Sequence, residues 1–166
     1  MLKIGTVGTG AITEQMLRAM AQVEGVECAA ICSRSQERAT QFAQIHQIPL
    51  AYDSLAEMVK SSDINTVYLA SPNSLHAAQA LQAIAAGKHV ICEKPLATTA
   101  AQAKEVFQAA RARGVVLLEA VSTQYMPHFL RGAERGPPGG QGKNVVCRDP
   151  PPARPEPDAQ LGLGSR

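Results

Sequence analysis

The chain contains no tryptophan, and aromatic residues make up only 4% of it. Platforms on which bases could stack are therefore scarce, which argues against nucleic acid as a ligand. The net charge is +2, too small for the basic patch that nucleic acid or an anionic membrane requires. The four cysteines, Cys28, Cys32, Cys92 and Cys147, include no C-x-x-C pair, so neither a zinc site nor a redox dithiol is indicated. Three of them lie within apolar runs, where a reduced core thiol is expected. No apolar run approaches the length that spans a membrane. The first residues enter a strand-like run, LKIGTV, without the pattern of a signal peptide, and a cytoplasmic setting is the expectation.

What the sequence does have is alternation. Its 166 residues, 45% of them hydrophobic, are enough for one domain with a real core. Strand patterns are expected at residues 2–7, 26–32, 50–52, 66–70, 89–92 and 115–119. Helical patterns fall between them at 11–22, 36–46, 55–60, 74–86 and 100–113. Ser54 and Glu57 form a capping-box signature at the third helix, and Gly87 and Gly114 stand where helices should end. The strand runs are nearly continuous in apolar residues rather than alternating, as expected of strands covered on both faces. The fold class predicted is α/β: a doubly wound parallel sheet of Rossmann type over residues 1–123, with an exit segment at 124–130. Residues 131–166 differ in character. Those 36 residues hold 7 of the 13 glycines and 7 of the 11 prolines, which predicts disorder.

In a parallel sheet the turns that follow the strands gather on one edge, where ligands bind. The first carries Gly8-Thr9-Gly10-Ala11-Ile12-Thr13. Gly8 suits a tight turn, Gly10 the close approach of a pyrophosphate, and the helix start at Ala11 and Ile12 offers free N–H groups and a positive dipole end. Thr13 stands where the third glycine of G-x-G-x-x-G would be, so the motif is incomplete. The second turn carries Ser33-Arg34-Ser35 and no acid to bond a ribose 2′-hydroxyl. A hydroxyl and a guanidinium suit a 2′-phosphate, which favours NADP over NAD; the plainer reading is a solvated Arg34 beside an N-capping Ser35. The turn at Ser71-Pro72-Asn73-Ser74 should be rigid, with Asn73 or Ser74 capping the next helix. His76 could bond a ligand there or satisfy a local carbonyl.

The run HVICEKP raises a sharper question, because a buried strand opens onto Glu93, Lys94 and Pro95. Pro95 holds Lys94 extended and permits a cis bond between them. An ammonium fixed on the same edge as the phosphate turn could bond a substrate hydroxyl and stabilise a forming alkoxide. Glu93 could orient that ammonium or touch ligand itself.

Taken together, VGTGAI, SRS, ASPNSLH and AGKHVICEKP resemble the Gfo/Idh/MocA family of NAD(P)-dependent oxidoreductases over residues 1 to about 130. The resemblance implies a Rossmann domain followed by a second α/β domain, and hydride exchange with hydroxyl or carbonyl groups of sugars, cyclitols and related small molecules. It maps the family's EKP lysine onto Lys94, as the catalytic candidate. Cofactor contacts are expected at Gly8, Thr9, Gly10, Ala11, Ile12, Ser33, Arg34, Ser71, Pro72, Asn73, His76, Glu93 and Lys94.

The departures are equally specific. The family's second domain supplies an aspartate and a histidine base, whereas the sequence beyond Arg131 holds only Glu134, Asp149, Glu156 and Asp158 as acids and no histidine. A truncated or out-of-frame continuation is the expectation, with cofactor binding but little turnover. His46, His89 and His128 have weak claims to replace the base. The competing class is a nucleotide-binding sensor or regulatory module without chemistry. A homo-oligomer is possible, although the domain that would form its interface is missing.

Overall fold

Six short strands, each rich in Val, Ile, Leu, Ala or Cys, form one sheet in the computed structural model, which describes residues 1–126. They are β1 (Leu2–Val7), β2 (Val26–Cys32), β3 (Leu50–Tyr52), β4 (Thr66–Leu69), β5 (His89–Glu93) and β6 (Leu117–Ala120). All pairings are parallel and the order is β3-β2-β1-β4-β5-β6. Five helices connect them: α1 (Ala11–Met20), α2 (Gln36–His46), α3 (Leu55–Met58), α4 (His76–Ala85) and α5 (Ala100–Arg113). The order runs outward from β1 in one direction and from β4 in the other, so a crevice opens between the turns after those two strands.

Apolar side chains cover both faces of the sheet centre, as its uninterrupted strands require. On one face Ile4 and Tyr68 pack with Met20 of α1, and Ile31 packs with Phe42 and Ala43 of α2. On the other, Val67, Leu69 and Val90 lie in a single cluster with Met58 of α3, Ala80 and Ala83 of α4 and Val106 of α5. The alanines let α4 sit close to the sheet. Each fully buried Val, Leu or Ile stabilises the fold by roughly 1.5–3 kcal/mol.

The elements end where their backbone groups find other partners. Ser35 Oγ accepts from the Arg38 N–H at the start of α2, and Thr99 Oγ1 accepts from the Gln102 N–H at the start of α5. Gly114 closes α5 at φ +70°, as expected. Helix α2 instead ends on Gln47 at φ +55°, because the next residue, Ile48, turns into the core and its N–H bonds Ala43 O. Strand β6 starts two residues later than expected: the Val115 N–H completes the end of α5, and the Val116 N–H donates to His89 Nδ1.

Two expected caps do not form. Ser54 makes no side-chain bond to α3, and Glu57 pairs with Lys60 at 2.6 Å instead of reaching back. Neither Asn73 nor Ser74 caps α4, because residues Asn73–Leu75 form a tight 3-10 turn closed by Leu75 N–H to Pro72 O, and α4 begins at His76. The expected boundary at residue 123 lies one residue short of the compact unit Met1–Gln124. The Gly/Pro-rich stretch, Cys147 and His128 lie outside the described residues.

Candidate functional site

The glycine turn between β1 and α1 is shaped by two different needs. Gly8 sits at φ +109°, and a Cβ there would lie 2.5 Å from the Ala70 carbonyl oxygen. Only glycine meets both constraints. Gly10 is the N-cap of α1 with an ordinary φ of −95°, and a Cβ there would meet nothing within 4 Å. Its bareness keeps space open in front of the helix start. Gly10 has no side chain to cap the helix, and the first-turn N–H groups of Ala11 and Ile12 have no acceptor within the helix. Thr13, at the third glycine position, is fully buried and donates from Oγ1 to Gly8 O at 2.9 Å. The hydroxyl thus ties the helix back to the turn, which accounts for the incomplete motif.

A cleft of about 600 Å³ runs from this turn across the ends of β2, β3 and β4. Gly8, Thr9, Gly10, Ser33, Arg34, Ser71 and Pro72 all line it. Arg38, one turn into α2, and Asp53, just past β3, line it too and were not expected. Arg34 and Arg38 also line an adjoining hollow with Ser33, Ser35, Glu37 and Gln41. Both arginines are exposed, and among the described residues neither is in an ion pair. Arg34 precedes the N-cap Ser35, so helical spacing does not relate it to Arg38, and the sequence pattern gave no signal of their shared position. Phe42 and Ile45 give the cleft an apolar wall, and Ile45 is 74% exposed. Cys32 lies beneath, its thiol pushed up to about 11 by burial and then by the charge of Asp53.

Ala11, Ile12, Asn73, His76, Glu93 and Lys94 do not line this cleft. The last two belong to a corner at residues 93–96, on the same edge of the sheet. Lys94 is exposed, and its bond to Pro95 is cis. Three side chains brace the backbone around it. Tyr68 Oη, from β4, donates to Glu93 Oε1 at 2.7 Å. Glu119 Oε1, from β6, accepts from the Leu96 N–H at 2.8 Å. His76 Nδ1 lies 2.7 Å from Pro95 O and its Nε2 lies 2.8 Å from Ser71 O. A ring nitrogen of His76 thus lies within hydrogen-bond distance of a carbonyl on each flank, and a neutral ring can donate to one of them. Sequence reasoning gave Tyr68 and Glu119 no role; their bonds cross 25 and 23 residues, and no local pattern reports such reach. Burial, with the Glu93 bond and charge adding to it, holds the Tyr68 phenol well above its ordinary range. The Cys92 thiol is pushed up to about 12 by burial and then by Glu119 and Glu93.

The sheet order and the glycine turn at its switch point define a dinucleotide-binding domain of Rossmann type. The chain belongs to the Gfo/Idh/MocA oxidoreductases: the family described as "Oxidoreductase family, NAD-binding Rossmann fold" matches residues 2–121. It is 43% identical over 129 residues to scyllo-inositol 2-dehydrogenase (NADP(+)) IolU of Bacillus subtilis, covering 78% of this chain and 39% of that protein. It is 38% identical over 129 residues to trans-1,2-dihydrobenzene-1,2-diol dehydrogenase of Xenopus laevis, covering 76% and 39%. Among solved structures, KijD10, a 3-ketoreductase from Actinomadura kijaniata in complex with TDP-benzene and NADP, superposes with a TM-score of 0.75 at 31% identity, covering 80% of this chain and 42% of that one. The chain thus spans about two fifths of the length of these relatives.

Proposed function

We propose that this chain is the cofactor-binding part of an NADP(H)-dependent oxidoreductase that acts on a hydroxyl or carbonyl group of a sugar, cyclitol or related small molecule. The observation that carries the cofactor choice is the pair Arg34 and Arg38, which with Ser33 rim a hollow that shares residues with the main cleft; the acids nearby, Glu37 in the hollow and Asp53 in the cleft, lie on α2 and just past β3, not in the turn that ends β2. Two guanidinium forks and a hydroxyl suit a 2′-phosphate dianion. The names of two relatives, one an NADP(+) enzyme and one solved with NADP, point the same way.

In this reading the bare Gly10 and the N–H groups of Ala11 and Ile12 receive the pyrophosphate. Ser71 and Pro72 wall the dinucleotide on the β4 side. The nicotinamide, when bound, supplies or accepts the hydride. Lys94 bonds the reacting oxygen of the substrate and stabilises negative charge on it. Asn73 and Glu93 are second-rank contacts, acting at the turn and corner that carry Pro72 and Lys94.

Among the described residues no histidine is placed to act as the proton acceptor at the Lys94 corner. His76 has both nitrogens against carbonyls, His89 Nδ1 accepts from the Val116 N–H, and His46 ends α2 with its ring against Phe42. The chain by itself is therefore proposed to bind cofactor and turn over little. Melting curves of the full chain with NADPH and with NADH test this, since binding to the folded state raises the midpoint. A rise with NADPH well beyond that with NADH is expected; no rise with either at millimolar cofactor would overturn the reading.

A further inference from the structure

We propose that His76 is a positioning residue that couples occupation of the dinucleotide cleft to the placement of Lys94. The inference rests on the cofactor reading above and adds a route by which one loop informs another.

The ring of His76 is fully buried at the first residue of α4. It stands between two turns that belong to different strands. On one side it meets the carbonyl of Ser71, in the turn that walls the cleft; on the other it meets the carbonyl of Pro95, the residue that follows Lys94. Among the described residues, no other hydrogen bond joins residues 70–75 to residues 93–97. Both turns are otherwise fastened separately. Ser71 Oγ bonds Gln79 within α4, while the Lys94 corner is tied to β4 through Tyr68 and to β6 through Glu119.

A residue that only filled space here would be an aliphatic or phenyl side chain, which offers no donor. Imidazole is a rigid plate with nitrogens on opposite flanks, so its two contacts cannot move independently. A neutral ring donates to one carbonyl at a time, and a ring with hydrogen on both nitrogens donates to both. In either state a displacement of Ser71 O is felt at Pro95 O. Both contacts are part-buried, and a carbonyl there that loses its donor costs free energy, which holds the turn that receives the ring hydrogen. A ligand that presses on the Ser71–Pro72 turn therefore acts on the backbone beside Lys94 without touching it.

The experiment uses the full chain and 2′-phospho-ADP-ribose, a probe that fills the phosphate and adenosine parts of the cleft but has no nicotinamide to contact Lys94. Amide shifts are followed by 1H–15N NMR at Gly8–Ile12, at the Ser71–Pro72 turn and at Lys94 and Leu96, together with the 15N signals of the His76 ring. Shifts at all four places on a single titration curve are expected. In His76→Phe and His76→Asn, the glycine-turn shifts should persist while those at Lys94 and Leu96 are lost. Corner shifts that survive in either variant would overturn the coupling. So would a wild-type ring and corner that stay still while the glycine turn responds, a result that needs no variant to fold. A probe that shifts nothing, even at Gly8–Ile12, would overturn the cofactor reading and the coupling with it.

Discussion

The phenol of Tyr68, buried in β4, donates to the carboxylate of Glu93 at the end of the neighbouring strand, 2.7 Å away. The bond joins the sheet core to the first residue of the corner that carries Lys94. Tyr68→Phe keeps the ring and its packing but leaves Glu93 without this donor. A loss of roughly 1–2 kcal/mol is expected, because Glu93 is half-buried and water can partly replace the hydroxyl. Urea denaturation reads it; a variant as stable as the parent would show that the bond does not fasten the corner.

Glu119 holds the same corner from the other side, through the Leu96 N–H. Glu119→Gln retains an oxygen acceptor and should keep the Leu96 amide slow in hydrogen exchange. Glu119→Ala removes it and should speed that exchange, while Val90 in the strand interior stays protected. Equal protection of Leu96 in both variants would remove Glu119 from the account.

The two glycines of the turn separate stability from binding. Gly8→Ala forces a side chain to φ +109° and against Ala70 O, which should cost about 1–3 kcal/mol or more of stability. Gly10→Ala meets no neighbour and should leave the melting midpoint nearly unchanged, but its methyl projects into the space proposed for the pyrophosphate. NADPH affinity should then fall by about tenfold or more, the scale of one lost charge-assisted hydrogen bond. Unchanged affinity in Gly10→Ala would move the phosphates elsewhere.

Stability should also decline in alkali. Burial favours the neutral thiols of Cys32 and Cys92, raising them from 9.0 to about 11 and about 12. In the unfolded chain they ionise near 9.0, so the folded state holds more protons above that pH and stability falls as pH rises from there towards 11. Tyr68, raised as well, extends the decline upward. Urea midpoints measured just below pH 9.0 and again near pH 11 test the sign, and Cys32→Ala should flatten the slope.

Much of this was legible from the residues. Continuous apolar runs between amphipathic stretches marked the strands β1, β2 and β3 and the helices α2 and α5 to the residue. The glycine turn, Ser33-Arg34 and Ser71-Pro72 were placed on one edge because parallel strands must put them there. Three kinds of feature were not legible. Caps at Ser54, Asn73 and Ser74 lost to competing local bonds. The use of Thr13 Oγ1 to replace a glycine depends on a distance, and so does the arrival of Arg38 and Asp53 at the cleft. The braces from Tyr68, His76 and Glu119 link residues that no periodicity relates, and they fasten the residues on either side of Lys94.

Calorimetric titration of the full chain with NADPH and NADH, repeated on the Arg34→Ala, Arg38→Ala double variant, tests the central claim most directly. The account predicts NADPH binding tighter than NADH by about tenfold or more, the scale of a charge-assisted contact to the extra phosphate, with the preference lost in the double variant. Equal affinity for the two cofactors in the parent chain, or a preference for NADPH that survives the loss of both arginines, would contradict it.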